Sequence, residues 1–168
     1  MEHIWSPWRY KYIASADREP GCVFCKARDG DDREYFIIHR ASLNFIILNL
    51  YPYTSGHLMI VPYQHVASLS ALVADTTTQM MELTKRAQSA LETEYDPDGF
   101  NIGMNLGRSA GAGVAEHVHM HVVPRWTGDA NFVSIVGETR VLPEDLTTTY
   151  ERLKEYFDTG KKSGWLSF

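Results

Sequence analysis

Three histidines alternate with apolar residues in the segment His117-Val118-His119-Met120-His121. This period of two predicts a half-buried β-strand, because residues i, i+2 and i+4 of a strand share one face. The three imidazoles then project together, while the apolar side chains enter a core on the other face. A helix would spread the same rings over about 200° of its surface. The segment therefore favours a sheet that carries a row of histidines on one face.

A loop of small residues precedes this histidine row. From Asn105 to Gly113 the chain reads Asn-Leu-Gly-Arg-Ser-Ala-Gly-Ala-Gly. Glycine allows close approach of the backbone, and successive N–H groups in such a loop form concavities that bind anions. A strictly alternating histidine row beside this loop favours phosphate chemistry over a polar strand face that merely carries histidines.

Apolar patterns elsewhere predict an α+β fold with a mostly antiparallel sheet and helices on one side. Four short apolar runs have the length and composition of strands: 35–39, 44–49, 57–62 and 100–105. Apolar spacings of three and four predict a long helix over 66–95, with Asp75-Thr76-Thr77-Thr78 as the N-cap of its main part. A second amphipathic helix is predicted over 142–157.

The chain has 168 residues, which predicts one domain over 1–168. Its 44% hydrophobic and 22% charged residues are typical of a soluble globular protein, and a net charge of −5 gives no reason to expect a nucleic-acid partner. No apolar run reaches the roughly 18 residues of a membrane span, and the N-terminus lacks signal-peptide features. We therefore expect no membrane association and a cytoplasmic location.

Two terminal segments stand apart from this domain pattern. Residues 1–20 form an aromatic and basic arm, which either packs its rings over the domain or brings Arg9 or Lys11 to a polyphosphate. Residues 158–168 form a tail whose aromatic side chains dock either on the body or on a second subunit.

The two cysteines of the chain, Cys22 and Cys25, form a Cys-x-x-Cys motif. Such a motif is a redox pair, half of a zinc site or two buried thiols. A redox pair should follow a buried strand and open a helix, whereas residues 14–20 are polar and contain a proline. A structural zinc needs two further ligands, which the surplus histidines of the chain can supply.

The glycine-rich loop, the His-x-His-x-His row and the Pro124-Arg125 that follows it resemble the histidine triad superfamily of nucleotide-binding hydrolases and transferases. This resemblance covers roughly residues 20–132. The opening Trp-Ser-Pro-Trp-Arg and the run after Pro124 resemble its diadenosine tetraphosphate phosphorylase-like branch. The resemblance implies the triad α+β fold, a homodimer, and the middle histidine, His119, as the nucleophile that forms a covalent nucleotidyl intermediate.

The same resemblance implies roles for other residues. The spacing of Asn49, His57 and the following Pro-x-x-His matches the superfamily, which places Asn49 at the ribose hydroxyls and His57 beside the triad. From the strand pattern itself, His121 lies one step along the same face as His119 and would bind phosphate oxygens or assist the leaving group. Further phosphate contacts would come from the loop residues Asn105, Gly107, Ser109, Ala112 and Gly113.

The Cys-x-x-Cys region resembles that of galactose-1-phosphate uridylyltransferase and several bacterial triad proteins, in which two histidines complete a zinc site. The corresponding positions here are His65 and His117. The resemblance therefore implies a structural zinc held by Cys22, Cys25, His65 and His117, the alternative being an empty or degenerate site.

Many triad hydrolases carry a glutamine in the loop shortly before the first histidine, where this chain has Ala112 and Gly113. Loss of that amide leaves room for a bulkier acceptor than water, such as inorganic phosphate. The expected reaction is phosphorolysis of diadenosine tetraphosphate to ATP and ADP. The alternatives are hydrolysis of dinucleoside polyphosphates or nucleoside phosphoramidates, and a zinc-stabilised nucleotide-binding module without turnover.

Overall fold

A computed structural model of the chain describes residues 21–129 and 144–162. Within these ranges the helices are α1 (Val23–Asp29), α2 (Ala74–Tyr95) and α3 (Leu146–Thr159). The strands are β1 (Ile37–Arg40), β2 (Asn44–Leu48), β3 (Leu58–Pro62), β4 (Gly99–Gly103) and β5 (Met120–Arg125). They form one antiparallel sheet in the order β1-β2-β3-β5-β4, so the predicted α+β fold is confirmed.

Helices cover both faces of the central strands, which is why β2 and β3 are buried at every residue. Alternate side chains point to opposite faces of a strand, so continuous apolar runs supply two cores. The core beneath α2 and α3 contains Ile38, Ile46, Leu48, Leu58, Ile60 and Val122. The core beneath α1 contains Ile37, Phe45, Ile47, Met59 and Val61.

The expectation that the helices lie on one side of the sheet is wrong for α1. Helices α2 and α3 do share one core. Phe24 and Ala27, three residues apart and therefore on one side of α1, are buried against the opposite face. This places the Cys-x-x-Cys motif, which overlaps the start of α1, on the same face as the histidine row.

The helix boundaries differ from the predicted ones. Helix α2 begins at Ala74 with Val73 as an N-cap that makes no side-chain hydrogen bond, so the predicted Asp75-to-Thr78 cap is wrong. Asp75 lies in the first turn instead, where its negative charge interacts favourably with the positive end of the helix dipole and stabilises the helix. The stretch 66–73 contains a separate 3₁₀ turn at Leu69–Ala71. Helix α3 continues to Thr159, two residues into the predicted tail.

Several sequence predictions lie outside the described residues. These include the N-terminal arm over 1–20, the run after Trp126 from 130 onward, and the aromatic end of the tail. In the part of the chain that the structure describes, no helix combines the length and the apolar character needed to cross a bilayer.

A buried ion cluster joins α3 to the end of α2. Arg152 donates from Nη1 to Oε1 of Glu144 over 2.8 Å and from Nη2 to the main-chain oxygen of Glu94 over 2.6 Å. Its guanidinium carbon lies 4.4 Å from the ring centroid of Tyr95. Burial raises the pKa of Tyr95, so its hydroxyl stays protonated and donates to Glu144 over 2.5 Å. The cluster fixes how the two helices meet.

We expect Arg152→Met to lower the free energy of unfolding by about 3–5 kcal/mol, because Glu94 and Glu144 would lose the cation between them. Urea unfolding followed by circular dichroism measures this loss. The matched control is Lys85→Met, which breaks an exposed pair with Glu82 and should cost less than about 1 kcal/mol. Equal effects of the two substitutions would contradict the role given to the cluster.

Candidate active site

The histidine row lies at the start of β5. Because β5 begins at Met120, the strand predicted over 117–121 is wrong for its first three residues. The N–H of Val118 donates to the oxygen of Val66 over 2.7 Å, which takes this stretch out of the sheet ladder. The rings of His119 and His121 are nevertheless neighbours, with centroids 4.8 Å apart. The rings of His119 and His121 therefore lie side by side, as predicted, although residues 117–119 are not part of a strand.

His119 is held in one tautomer by the main chain. Its Nδ1 lies 2.8 Å from the carbonyl oxygen of His117. A carbonyl only accepts, so Nδ1 carries the proton and the lone pair of the neutral ring is on Nε2. The side chain is 5% exposed, and this burial lowers the pKa of His119. The ring is thus neutral near pH 7, with Nε2 able to act as a nucleophile.

A chain of hydrogen bonds sets the tautomer of His121. The N–H of Tyr53 donates to Nδ1 of His57 over 3.2 Å, so the neutral ring of His57 carries its proton on Nε2. That Nε2 lies 3.0 Å from Nδ1 of His121 and donates to it. His121 therefore carries its own proton on Nε2. It can offer this N–H to an anionic oxygen.

Asn49 lies one residue after β2, beside this chain of hydrogen bonds. Its Nδ2 is 3.3 Å from Nδ1 of His57, and its Oδ1 accepts from the N–H of Tyr51 over 2.9 Å. Because His57 is 1% exposed, Asn49 stands between a buried imidazole and the surface of the molecule. The structure thus brings Asn49, His57 and His121 together.

Two aromatic residues of the site were missed by the sequence predictions. The ring of Phe24 lies 4.8 Å from that of His119 and 5.4 Å from that of His117, and it is 4% exposed. The ring of Tyr53 stacks on His57, with centroids 4.9 Å apart and planes at 26°. Phe24 lies between the two cysteines of the Cys-x-x-Cys motif. Because that motif was already predicted to meet His117, the sequence could have indicated that Phe24 lies near the histidine row.

The four predicted metal ligands converge at the back of the histidine row. Nδ1 of His117 lies 3.3 Å from Sγ of Cys22, 3.8 Å from Sγ of Cys25 and 3.3 Å from Nδ1 of His65. All four ligand atoms lie within 4.8 Å of one another. A tetrahedral ion with bonds of about 2.0–2.3 Å needs spacings of roughly 3.3–3.8 Å. These residues could therefore hold a metal ion.

A hydrogen bond from its other ring nitrogen orients His117 as a metal ligand. Its Nε2 lies 2.9 Å from the carbonyl oxygen of Pro62 and must donate to it, which directs the Nδ1 lone pair toward the two sulfurs. Burial lowers the pKa of His117, so the ring stays neutral, as a ligand must be. The site fits a cation that prefers mixed sulfur and nitrogen ligands.

The glycine-rich loop forms a 3₁₀ turn at Arg108–Ala110, between Gly107 and Gly111, whose φ angles are +82° and +86°. Positive φ angles of this kind favour glycine. The N–H of Ala112 donates to the oxygen of Gly107 over 3.3 Å. A phosphate contact from Ala112 would therefore require this bond to open. The contacts predicted for Gly107, Ser109 and Gly113 stay predictions.

A cavity of about 500 Å³ adjoins His121 over β4 and β5. Polar side chains on its lining include Thr54, Asn101, Asn105 and Arg125. The structure thus brings Asn105, predicted as a phosphate contact, to the cavity that His121 borders.

Comparison with known proteins agrees with this geometry. A family model described as HIT domain matches residues 32–128. The AP-4-A phosphorylase of Mycobacterium tuberculosis is 40% identical over 157 residues, which cover 89% of this chain and 80% of that protein. The adenosine 5'-monophosphoramidase of Schizosaccharomyces pombe is 30% identical over 104 residues, covering 62% of this chain and 74% of that protein.

Solved structures give the same result. The crystal structure of a Zn-bound histidine triad family protein from Mycobacterium smegmatis has a TM-score of 0.66 and 27% identity, covering 84% of this chain and 98% of that one. The family match spans every strand from β1 to β5 and includes the histidine row. The chain therefore belongs to the HIT domain family.

Proposed function

We propose that this chain is an enzyme that cleaves the α-phosphate bond of adenine dinucleotides through a covalent nucleotidyl-histidine on His119. Its proposed reaction is the phosphorolysis of diadenosine tetraphosphate to ATP and ADP. The observation that carries the proposal is the 2.8 Å hydrogen bond from Nδ1 of His119 to the oxygen of His117, which leaves a lone pair on Nε2 of a neutral ring. The 40% identity to an AP-4-A phosphorylase supports the substrate.

The reaction has two halves. In the first, Nε2 of His119 attacks the α-phosphorus, a P–N bond forms, and the P–O bond to the departing ATP breaks. In the second, an oxygen of inorganic phosphate attacks the same phosphorus, the P–N bond breaks, and ADP leaves. His121 donates its Nε2–H to the charged oxygens in both halves, in the tautomer that His57 imposes.

The remaining contacts of the transferred nucleotide come from two loops. Asn49 binds the ribose hydroxyls, since an amide can donate to one hydroxyl and accept from another. Asn105, Gly107, Ser109 and Gly113 bind the phosphate oxygens, with Ala112 joining them only if its bond to Gly107 opens. Each lost donor to the reacting oxygens typically costs about 10²–10³ in rate.

We infer that the ion held by Cys22, Cys25, His65 and His117 is zinc. Two thiolates and two imidazoles are a common set for structural zinc, and these four residues supply the four ligand atoms that a tetrahedral shell needs. When bound, the zinc holds the start of α1 against the histidine row and supplies no open position for catalysis. Reduced thiolates in this site fit the proposed cytoplasmic location.

We also propose that the chain forms a homodimer. Strand β4 stands at one edge of the described sheet, and Ile102 on it is 43% exposed. An edge strand of this kind is suited to pairing with a second copy. Light scattering coupled to size exclusion should give about twice the 19.1 kDa chain mass.

Product analysis tests the reaction directly. We expect ADP and ATP from diadenosine tetraphosphate only when inorganic phosphate is present. AMP and ATP without phosphate would show hydrolysis instead, which the similarity to an adenosine 5'-monophosphoramidase keeps as the second candidate. If no adenylyl compound gives any product, the chain is a nucleotide-binding module without turnover.

Phe24→Leu should lower kcat by about 10²-fold with little change in KM. Its ring contacts that of His119, and a misplacement of about 1 Å can cost this much in rate. Phe157→Leu, on α3 against His39, is the matched control and should keep wild-type kcat. Steady-state kinetics distinguish the two. Equal kcat in both variants would contradict the positioning of His119 by Phe24.

A further inference from the structure

The cavity beside His121 lies apart from the nucleophile. It is lined by residues of β4 and β5, by Met104 and Asn105 directly after β4, and by Tyr53 and Thr54. His121 borders it, whereas His119 and Asn49, both described, are not on its lining. Because the rings of His119 and His121 are adjacent, a substrate whose reacting phosphate lies at His119 can pass His121 into this space. Its volume of about 500 Å³ is in the usual range of small-molecule sites.

The charge of this cavity is largely balanced. Arg125, its basic side chain, binds both carboxylate oxygens of Asp129, over 2.5 Å from Nε and 2.7 Å from Nη2. The Arg125–Asp129 pair as a whole carries no net charge, so it attracts a polyphosphate less than an unpaired guanidinium would. The end of the cavity at Arg125, four residues along β5 from His121, is therefore suited to an uncharged part of a substrate.

Arg125 also orients an amide at the cavity. Its Nη1 donates to Oδ1 of Asn101 over 2.6 Å. This contact assigns the oxygen of the Asn101 amide to Arg125, so the two N–H groups of Nδ2 are directed to other acceptors. Asn101 is exposed on β4 and lines the cavity, where ribose and base oxygens or ring nitrogens would accept from it.

An aromatic ring and an apolar side chain complete the lining. Tyr53 is held by its stacking on His57, and Val123, on the same face of β5 as His121, lies along the same cavity. Rings and apolar side chains of this kind pack against a flat base, and an amide beside them supplies the polar contact.

We propose that this cavity binds the second nucleoside of a dinucleoside polyphosphate, with Asn101 as the residue that recognises it. This inference rests on the proposed function, because it concerns the leaving half of the same substrate. Binding of the second nucleoside in this cavity makes the enzyme selective for dinucleotides over nucleotides with a single nucleoside. Asn101 contributes to binding of the leaving group and takes no part in the attack by His119.

The test compares diadenosine tetraphosphate with adenosine 5'-tetraphosphate, which lacks the second nucleoside. Asn101→Ala should lower kcat/KM for the dinucleotide by about 3–10-fold, which is the usual contribution of one neutral hydrogen bond. The kcat/KM for the mononucleotide should change less than about twofold. Asn101→Trp, which fills the cavity from an exposed strand position, should lower the dinucleotide value more than about tenfold. Gln88→Ala, an amide on α2, is the control expected to change neither substrate.

Binding measurements separate this inference from the proposed reaction. In a background of His119→Ala, which blocks turnover, Asn101→Trp should raise the dissociation constant of diadenosine tetraphosphate and leave that of adenosine 5'-tetraphosphate unchanged. If both constants or both kcat/KM values change together, or neither changes, the cavity does not bind the second nucleoside. If neither substrate is turned over by the wild-type protein, the proposed reaction is wrong, while the binding ratio still decides the inference.

Discussion

His119→Ala is expected to lower kcat for diadenosine tetraphosphate by about 10⁴–10⁶-fold, the range typical of losing a covalent nucleophile. Without its Nε2 lone pair no P–N bond forms, and water or phosphate would have to attack the substrate directly. Among the described residues, neither neighbouring histidine can replace it, since His121 presents an N–H and His117 directs Nδ1 toward the cysteines. Rapid-quench kinetics with radiolabelled substrate would measure the residual rate.

A second readout follows from the covalent step. Wild-type protein mixed with diadenosine tetraphosphate in the absence of phosphate should gain the mass of one adenylyl group, located on His119 by peptide mass spectrometry. His39→Ala is the matched control, since His39 is another partly buried imidazole, stacked on Phe157 far from the row in the fold. An alanine variant at 119 that retains more than about a hundredth of wild-type kcat would overturn the proposed nucleophile.

Removal of the proposed zinc is expected to lower the free energy of unfolding by an amount comparable to that expected for Arg152→Met. A ligand present at a thousand times its dissociation constant stabilises the folded state by about 4 kcal/mol. For a chain of this size that corresponds to a fall of roughly 8–16 °C in Tm on chelation. The segment most affected is α1, whose seven residues bury only Phe24 and Ala27. Differential scanning calorimetry with and without a chelator measures the shift.

Variants of the ligands test the same site without a chelator. His65→Asn should reproduce the fall in Tm, because His65 lies on the exposed side of the cluster and contributes Nδ1 at 3.3 Å from the sulfur of Cys25. His39→Asn serves as the control for loss of an imidazole. Metal analysis of the purified protein should find about one equivalent of zinc. Less than about a tenth of an equivalent, with no response to chelator, would rule out the proposed zinc.

Local patterns in the sequence were sufficient for much of the fold. Strand alternation, apolar runs and helical spacing depend on neighbours along the chain, so β1 to β5 and α3 could be predicted to within a few residues. The end of α2 was predicted as well, whereas its start at Ala74 lies eight residues after the predicted one. The convergence of Cys22, Cys25, His65 and His117 was implied by the resemblance to triad proteins, and the structure places the four ligand atoms together. Motif spacing carries such information because the elements between the motifs have standard lengths.

The chemistry of the row was decided by contacts between distant residues. The proton on His121 is set by His57, 64 residues away, and the metal-facing nitrogen of His117 by the carbonyl of Pro62, 55 residues away. The placement of Phe24 against His119 depends on α1 packing on the face opposite to α2. The sequence by itself determined which imidazoles and thiols are available and which residues alternate. Only the tertiary structure decided which nitrogen of each ring carries the proton, because a tautomer depends on the partner that each ring meets in space.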